Sequence, residues 1–284
     1  MRVTPAALSH QVKILEDRLG FALFHRLPRG LALTDEGTAM LPVLSECFDR
    51  IALLLERMNA RRPQDIVTLG VVGTFALTWL IPRMEDFSAS YPEIDLRLTT
   101  NNNRVDIAEE GLDYAIRFGD GAWNSTEADL IFSAPFTALC SPKVAARLRE
   151  PKDLLQERLL RSYRVVDWPA WFEVAGLEAP PIRGPIFDSS RLMVDAAMAD
   201  YGVALAPLRM FEAELRAGHL CRPFPIEVDF GGYYLTRLKS RPVTQSMNAF
   251  RGWLLQQAKL PPAEEVSDTV APTSAGIVSS PAEG

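Results

Sequence analysis

Residues 4–20 read TPAALSHQVKILEDRLG, and the rest of the chain is organised around them. Thr4 carries a hydroxyl that accepts from an orphan backbone N–H at a helix start, and Pro5 suits the first helical position. Gly20 is placed to end the helix in a left-handed conformation. Between them Leu8, Val12, Leu15 and Leu19 recur at steps of four, three and four, which makes one narrow apolar stripe. At about 100° per residue the opposite face carries Ala6, Ser9, His10, Lys13 and Asp17, with Gln11 on its flank. Small side chains, hydrogen-bonding groups and a cation allow such a face to enter a DNA major groove. Alone, the stripe fits an ordinary amphipathic surface helix better, so its neighbours in the chain must decide.

Working outward, FALFHRLPRGLALT follows at 21–34. The apolar segments Phe21–Phe24 and Leu31–Leu33 flank a Pro28–Arg29–Gly30 turn, which predicts a small β-hairpin with Arg26 and Arg29 near its tip. Beside a helix, that hairpin is either a wing that touches phosphates or a plain connecting turn. Thr34 then caps a second helix whose first turn holds Asp35 and Glu36, where negative charge suits the dipole. Met40, Leu44, Cys47, Ile51, Leu54 and Met58 alternate steps of four and three, while Leu41, Phe48 and Leu55 add a sevenfold line. A seam this wide predicts pairing with a second copy of the helix; the alternative is packing on the chain's own core. Pro42 costs that helix one hydrogen bond, and Arg61–Arg62–Pro63 marks a boundary.

The length of 284 residues fits about two domains, and 48% hydrophobic with 23% charged residues reads as globular. With a net charge of −6, any contact with nucleic acid must come from a local patch. The first thirty residues hold one: Arg2, Lys13, Arg18, Arg26 and Arg29 against Glu16 and Asp17. Cys47, Cys140 and Cys221 are far apart in the chain, odd in number and without CxxC spacing, which fits a reducing compartment. No run has the length of a membrane span and the N-terminus lacks a signal pattern, so the expected location is cytoplasmic, away from membranes.

From Ile66 the pattern becomes α/β. IVTLGVV, DLRLTT and DYAIRFG read as strands separated by a helical segment to about Tyr91 and a short helix over RVDIAEEG. Alternating strands and helices predict a parallel sheet with ligands at strand C-terminal ends. LIFSAPFTALCSP would cross into a second lobe containing helices around 143–160, the Trp168–Trp171 segment and the strands GPIFDSS and YGVALAP. GGYYLTRLKSR and SMNAFRGWLLQQ would return to the first lobe as a strand and a helix, and 261–284 reads as a disordered tail.

The run TPAALSHQVKILEDRLGFALFHRLPRGLALTDEG resembles the DNA-binding signature of the LysR-type transcriptional regulators. The likeness continues through VGTFALTWLIPRMEDF, NNNRVDIAEEGLDYAIRFGDGAW, LLRSYR–DWPAWF, FDSS, GVALAP and LTRLKSR–FRGWLL to about residue 258, and is similar to the AmpR-type branch that regulates chromosomal β-lactamase genes. It implies an α/β architecture: a winged helix-turn-helix (1–33), a linker and dimerisation helix (34–62), and a two-lobed effector domain of periplasmic-binding-protein type (63–260). Lobe I would take about 63–132 and 208–260, lobe II about 133–207. The family's winged domain carries about 30 further residues ahead of the recognition helix; either Met1 is an internal residue of a longer protein, or the product is shortened and Leu8, Val12, Leu15 and Leu19 lack packing partners at about 1.5–3 kcal/mol each. In the second case the 284-residue form is expected to hold DNA weakly, which a mobility-shift assay measures.

The resemblance implies roles. Ser9, His10 and Lys13 would face the groove, with Gln11 nearby and Thr4 at the helix start, while Arg26 and Arg29 would meet phosphate or the minor groove. Thr74, Ser190 and Tyr233 match effector-pocket positions, and Asp106 matches a position tied to the regulatory state. Read on their own, Thr74 and Ser190 fit helix caps, Tyr233 a half-buried strand aromatic, and Asp106 a capping carboxylate. The implied partners are double-stranded DNA, a muropeptide effector and further copies of the chain, as a homodimer or dimer of dimers. No cofactor, metal or catalytic residue is expected, since GxSxG, GxGxxG, P-loop and HExxH are absent and His10, His25 and His219 are scattered. The competing readings are an enzyme with a site assembled in space and a two-lobed solute-binding protein, the second disfavoured by the 4–60 region and the lack of a signal.

Overall fold

A computed structural model of the chain describes residues 5–27, 30–59, 66–101 and 105–259. Thr4, Arg29, the boundary at 61–63 and the expected tail at 261–284 lie outside the described residues. The chain divides into two units, Met1–Ile66 and Val67–Gly284.

In the first unit α1 spans Pro5–Leu19. Gly20, at φ +78°, sends its N–H back to the Glu16 carbonyl at 2.9 Å, so the helix stops in the left-handed turn its glycine permits. The wing is the antiparallel pair β1 (Phe24–Leu27) and β2 (Gly30–Leu33), with Phe24 opposite Leu33. Its first strand starts at Phe24 and not at Phe21. The Glu16 carboxylate accepts from the N–H groups of Leu23 (2.7 Å) and Phe24 (3.1 Å), which clamps 21–23 as a connection to α1 before the ladder begins. Thr34 accepts from the Gly37 N–H at 3.0 Å and so opens α2, Asp35–Asn59. Leu41, Phe48, Ile51 and Leu55 of α2 are exposed.

In the second unit β3 (Ile66–Val72) runs into α3 (Gly73–Phe75), a π turn (Ala76–Leu80), a 3₁₀ turn (Ile81–Arg83) and α4 (Met84–Ser90). Pro82 has no N–H for the helical ladder, which accounts for the irregular turns around it. β4 (Asp95–Asn101), β5 (Tyr114–Gly119) and β6 (Thr126–Ser133) follow. The expected short helix over RVDIAEEG is absent from its described part: 107–111 is a turn, capped by Asp106 and ended by Gly111.

Beyond Ala134 the second lobe holds β7 (Phe136–Leu139), α5 (Pro142–Ala145), a 3₁₀ turn at Pro151–Gln156 and β8 (Arg161–Ser162). It continues through α6 (Asp167–Val174), β9 (Ile186–Phe187), α7 (Ser190–Met198) and β10 (Ala204–Pro207). A 3₁₀ turn at Leu208–Phe211 and α8 (Glu212–Arg216) precede β11 (Gly232–Leu238) and α9 (Gln245–Lys259). Phe224, Ile226, Val228 and Phe230, ahead of Gly231, pack with the second lobe's core around Trp168, Trp171 and Phe172. Cys140 and Cys221, remote in sequence, exchange backbone hydrogen bonds of 3.0 and 2.7 Å in this lobe, and both are free thiols.

The five-stranded sheet has the order β4-β3-β5-β11-β6 and is mixed, not parallel as expected. β3 and β5 are parallel, but β11 is antiparallel to β5 and β6 because it enters from the far lobe and runs back. α9 seals this lobe: Met247, Phe250, Trp253 and Leu254 are buried, at about 1.5–3 kcal/mol for each. Trp253 donates to Asp86 at 2.7 Å, and Arg251 pairs with Asp129.

Gly231 governs the return crossing. At φ +115° it accepts from the Ala134 N–H at 3.1 Å, and a Cβ there would stand 2.1 Å from the Gly119 carbonyl oxygen. Gly231→Ala is expected to cost about 1–3 kcal/mol from the conformation alone and more from the clash. In a thermal melt that reads as a fall of at least about 2–4 °C per kcal/mol. An unchanged melting temperature would contradict the crossing described here.

Candidate functional site

The end of β3 and the start of α7 face each other across a cleft of about 430 Å³ between the lobes of the second unit. Thr74, 2% exposed, directs its hydroxyl across it and accepts from the Arg191 N–H of α7 at 3.1 Å. It therefore caps the helix of the opposite lobe and not its own, for α3 begins without a side-chain cap. That hydroxyl keeps its proton to donate into the cleft. Ser190, the first residue of α7, is half-buried, and its hydroxyl meets no partner among the described residues. It does not cap α7, whose N-cap is Ser189.

Tyr233 comes from β11, where it lies opposite Phe118 on one side and Phe132 on the other. Its ring is packed 5.0 Å from Phe75, 5.3 Å from Phe118 and 5.8 Å from Phe132, leaving the residue 2% exposed rather than half-buried. Burial pushes its phenol well above the ordinary tyrosine range, with Arg164 opposing the shift. The group stays protonated and, with no partner among the described residues, is free to donate into the cleft it lines. Three neutral hydroxyl donors from two lobes thus converge, a set suited to carbonyl and carboxylate oxygens.

Asp106 is not part of this convergence. It is exposed, accepts from the N–H groups of Ala108 (2.9 Å) and Glu109 (3.0 Å), and is not among the residues lining the cleft. Its charge bears on Arg117, whose pKa burial lowers and Asp106 raises.

In the first unit Ser9, His10, Gln11 and Lys13 of α1 are exposed, as is Arg26 of β1; Thr4 and Arg29 lie outside the described residues. Leu8 and Leu15 on the apolar stripe are also open, at 61% and 40%.

Residues 1–38 match the bacterial regulatory helix-turn-helix of the lysR family, and residues 60–259 match the LysR substrate binding domain. The chain belongs to the LysR family. It has that family's fold, an N-terminal helix-turn-helix region followed by a two-lobed effector-binding domain. This LysR-family chain is 60% identical to the HTH-type transcriptional activator AmpR of Pseudomonas aeruginosa over 258 residues, 90% of this chain and 87% of that protein. The effector domain of the P. aeruginosa AmpR matches with a TM-score of 0.66 at 59% identity, over 68% of this chain and 95% of that one. A Citrobacter freundii effector binding domain matches with a TM-score of 0.66 at 44% identity, over 68% and 99%. That domain was solved with a threonine changed to valine, a serine to alanine and a tyrosine to phenylalanine.

These relatives are transcriptional regulators by name, not enzymes. Among the described residues no helix is long and apolar enough to cross a membrane, and no group of three or more His, Cys, Asp or Glu could hold a metal. Sequence reasoning passed over Arg164, Phe118 and Phe136, which also line the cleft. Phe118 comes from β5, Phe136 from β7 and Arg164 from the turn after β8, and only tertiary packing brings the three to one cleft.

Proposed function

We propose that this chain is a cytoplasmic, DNA-binding transcriptional regulator that controls a β-lactamase-type gene in response to a cell-wall-derived muropeptide. The convergence of Thr74, Ser190 and Tyr233 carries the sensing half of the reading. They are the residue types exchanged in the C. freundii effector binding domain, where the serine and tyrosine are 43 positions apart, as Ser190 and Tyr233 are here. The names of relatives such as AmpR support the regulatory half, as does the Serratia marcescens carbapenem-hydrolysing β-lactamase activator, 50% identical over 258 residues.

In this reading Ser9, His10, Gln11 and Lys13 read the groove, with Thr4 at the helix start, and Arg26 and Arg29 set register on phosphate. Residues 34–62 pair two subunits over a dyad site, as a dimer or dimer of dimers. The domain at 63–260 carries the cleft, and Asp106, outside it, acts on the regulatory state. The Thr74–Arg191 hydrogen bond ties one lobe to the other, so a ligand that engages the Thr74 hydroxyl shifts the lobe equilibrium at its closing contact.

The test is a low-salt mobility-shift titration with DNA from upstream of a β-lactamase gene against scrambled DNA. The parent chain is expected to prefer the gene's own DNA, and Lys13→Ala to lower the salt slope by about 0.9 whatever the absolute affinity. Equal retention of both DNAs, with a slope unmoved by Lys13→Ala, would overturn the reading.

A further inference from the structure

We propose that the groove between the Ile81–Arg83 turn and the Leu208–Phe211 turn binds a phosphate-type oxyanion, clasped by the guanidiniums of Arg83 and Arg209. It is a second ligand site, separate from the cleft of Thr74, Ser190 and Tyr233, none of which lines it.

The groove is a cavity of about 360 Å³, walled by Leu77, Trp79, Pro82 and Met210 and bordered by four arginines and two glutamates. Arg191 is spent on carboxylates of its own, Asp195 at 2.6 Å and Glu214. Arg216 is exposed and gives its Nε to the Glu212 backbone carbonyl at 3.3 Å. Arg83 and Arg209 differ from these. Both are half-buried, and neither makes an ion pair among the described residues.

Each is instead held by a ring and a carbonyl. Arg83 lies 4.5 Å over the Trp79 ring and donates one Nη to the Trp79 carbonyl at 2.9 Å. Arg209 lies 4.0 Å over the Phe132 ring and donates one Nη to the Ala258 carbonyl at 3.0 Å. The two rings pack 5.7 Å apart, so the aromatic core itself delivers both cations to one groove. Each guanidinium keeps its Nε and its other Nη without an acceptor among the described residues.

Two cations placed together repel, and burial removes the water that would screen them. Burial lowers the pKa of Arg83 and the charge of Arg209 lowers it further, with Glu212 opposing; burial likewise lowers Arg209, again against Glu212. Glu212 is half-buried beside both, yet its carboxylate makes no hydrogen bond or ion pair with either among the described residues. Arginines that served packing alone would close on that carboxylate. The unserved nitrogens reach the groove from two elements, more than the two oxygens of a carboxylate satisfy. A phosphate group has oxygens enough for both forks.

The experiment is calorimetric titration of the full chain with inorganic phosphate, beside acetate, at fixed ionic strength. The parent is expected to take up one phosphate per chain with saturable heat and to hold acetate about 10-fold more weakly. Arg83→Gln with Arg209→Gln is expected to weaken phosphate by about 10- to 100-fold, the loss of charged hydrogen bonds from two donors. Glu212→Gln leaves both arginines on their rings and removes the carboxylate that opposes an anion. It is expected to tighten phosphate severalfold, and it tests the site even if the double variant does not fold. Absence of saturable phosphate binding by the parent, or equal affinity for acetate, would overturn the proposal. So would a phosphate affinity that neither the double substitution lowers nor Glu212→Gln raises.

Discussion

The triple replacement Thr74→Val, Ser190→Ala and Tyr233→Phe is expected to weaken binding of a muropeptide peptide stem to the full chain by about 100-fold or more. Each hydroxyl contributes roughly 1 kcal/mol as a hydrogen bond, and every 1.4 kcal/mol is tenfold in affinity. The three sit in one cleft, and Tyr233 is a buried donor with no competing partner among the described residues, so water replaces it poorly. Thr74→Val carries a second consequence, because it strips the Arg191 N–H of its acceptor and loosens the contact between the lobes. Thr74→Ser preserves the hydroxyl and is expected to bind within a few-fold of the parent. Isothermal titration separates these cases, and an unchanged affinity in the triple variant would sink the assignment of the cleft.

Phe48→Asp combined with Leu55→Asp in α2 is expected to convert the chain to a monomer at micromolar concentration, read by light scattering on a sizing column. Phe48 is 66% exposed, and Leu41, Ile51 and Leu55 lie open on the same helix. Burying such side chains between two helices is worth about 1.5–3 kcal/mol each, counted twice in a symmetric pair. A carboxylate placed in that seam must either lose its water or keep the helices apart. The same variant is expected to lose affinity for a two-fold operator more than for a half-site, since the dyad needs two linked recognition helices. An unaltered mass would return α2 to the alternative, a helix packed on its own chain.

Some of this was legible residue by residue. Gly20 and Thr34 mark the ends of α1 and α2 because a left-handed turn and a capping hydroxyl are local requirements. The readings that failed involve partners distant in the chain. Phe21–Leu23 reads as strand by composition, but Glu16 accepts the N–H groups of Leu23 and Phe24. RVDIAEEG carried helical composition, yet Asp106 closes a single turn and Gly111 redirects the chain. Alternating strands and helices suggested parallel pairing, while the sense of β11 depends on which lobe the chain is returning from.

The cleft divides in the same way. Thr74 and Ser190 stand out at strand-to-helix junctions, where a hydroxyl has an obvious local use as a cap. The sequence by itself determined the recognition-type helix, the wing, the apolar seam of α2 and the α/β texture of the larger unit, since each is a matter of periodicity and short-range hydrogen bonding. Only the tertiary structure decided that Thr74 caps the helix of the opposite lobe, that Tyr233 is a buried free donor, and that Arg164 lines the same cleft. Those facts depend on two separate chain crossings between the lobes, at Ala134 and Gly231, and no local pattern records contacts made across them.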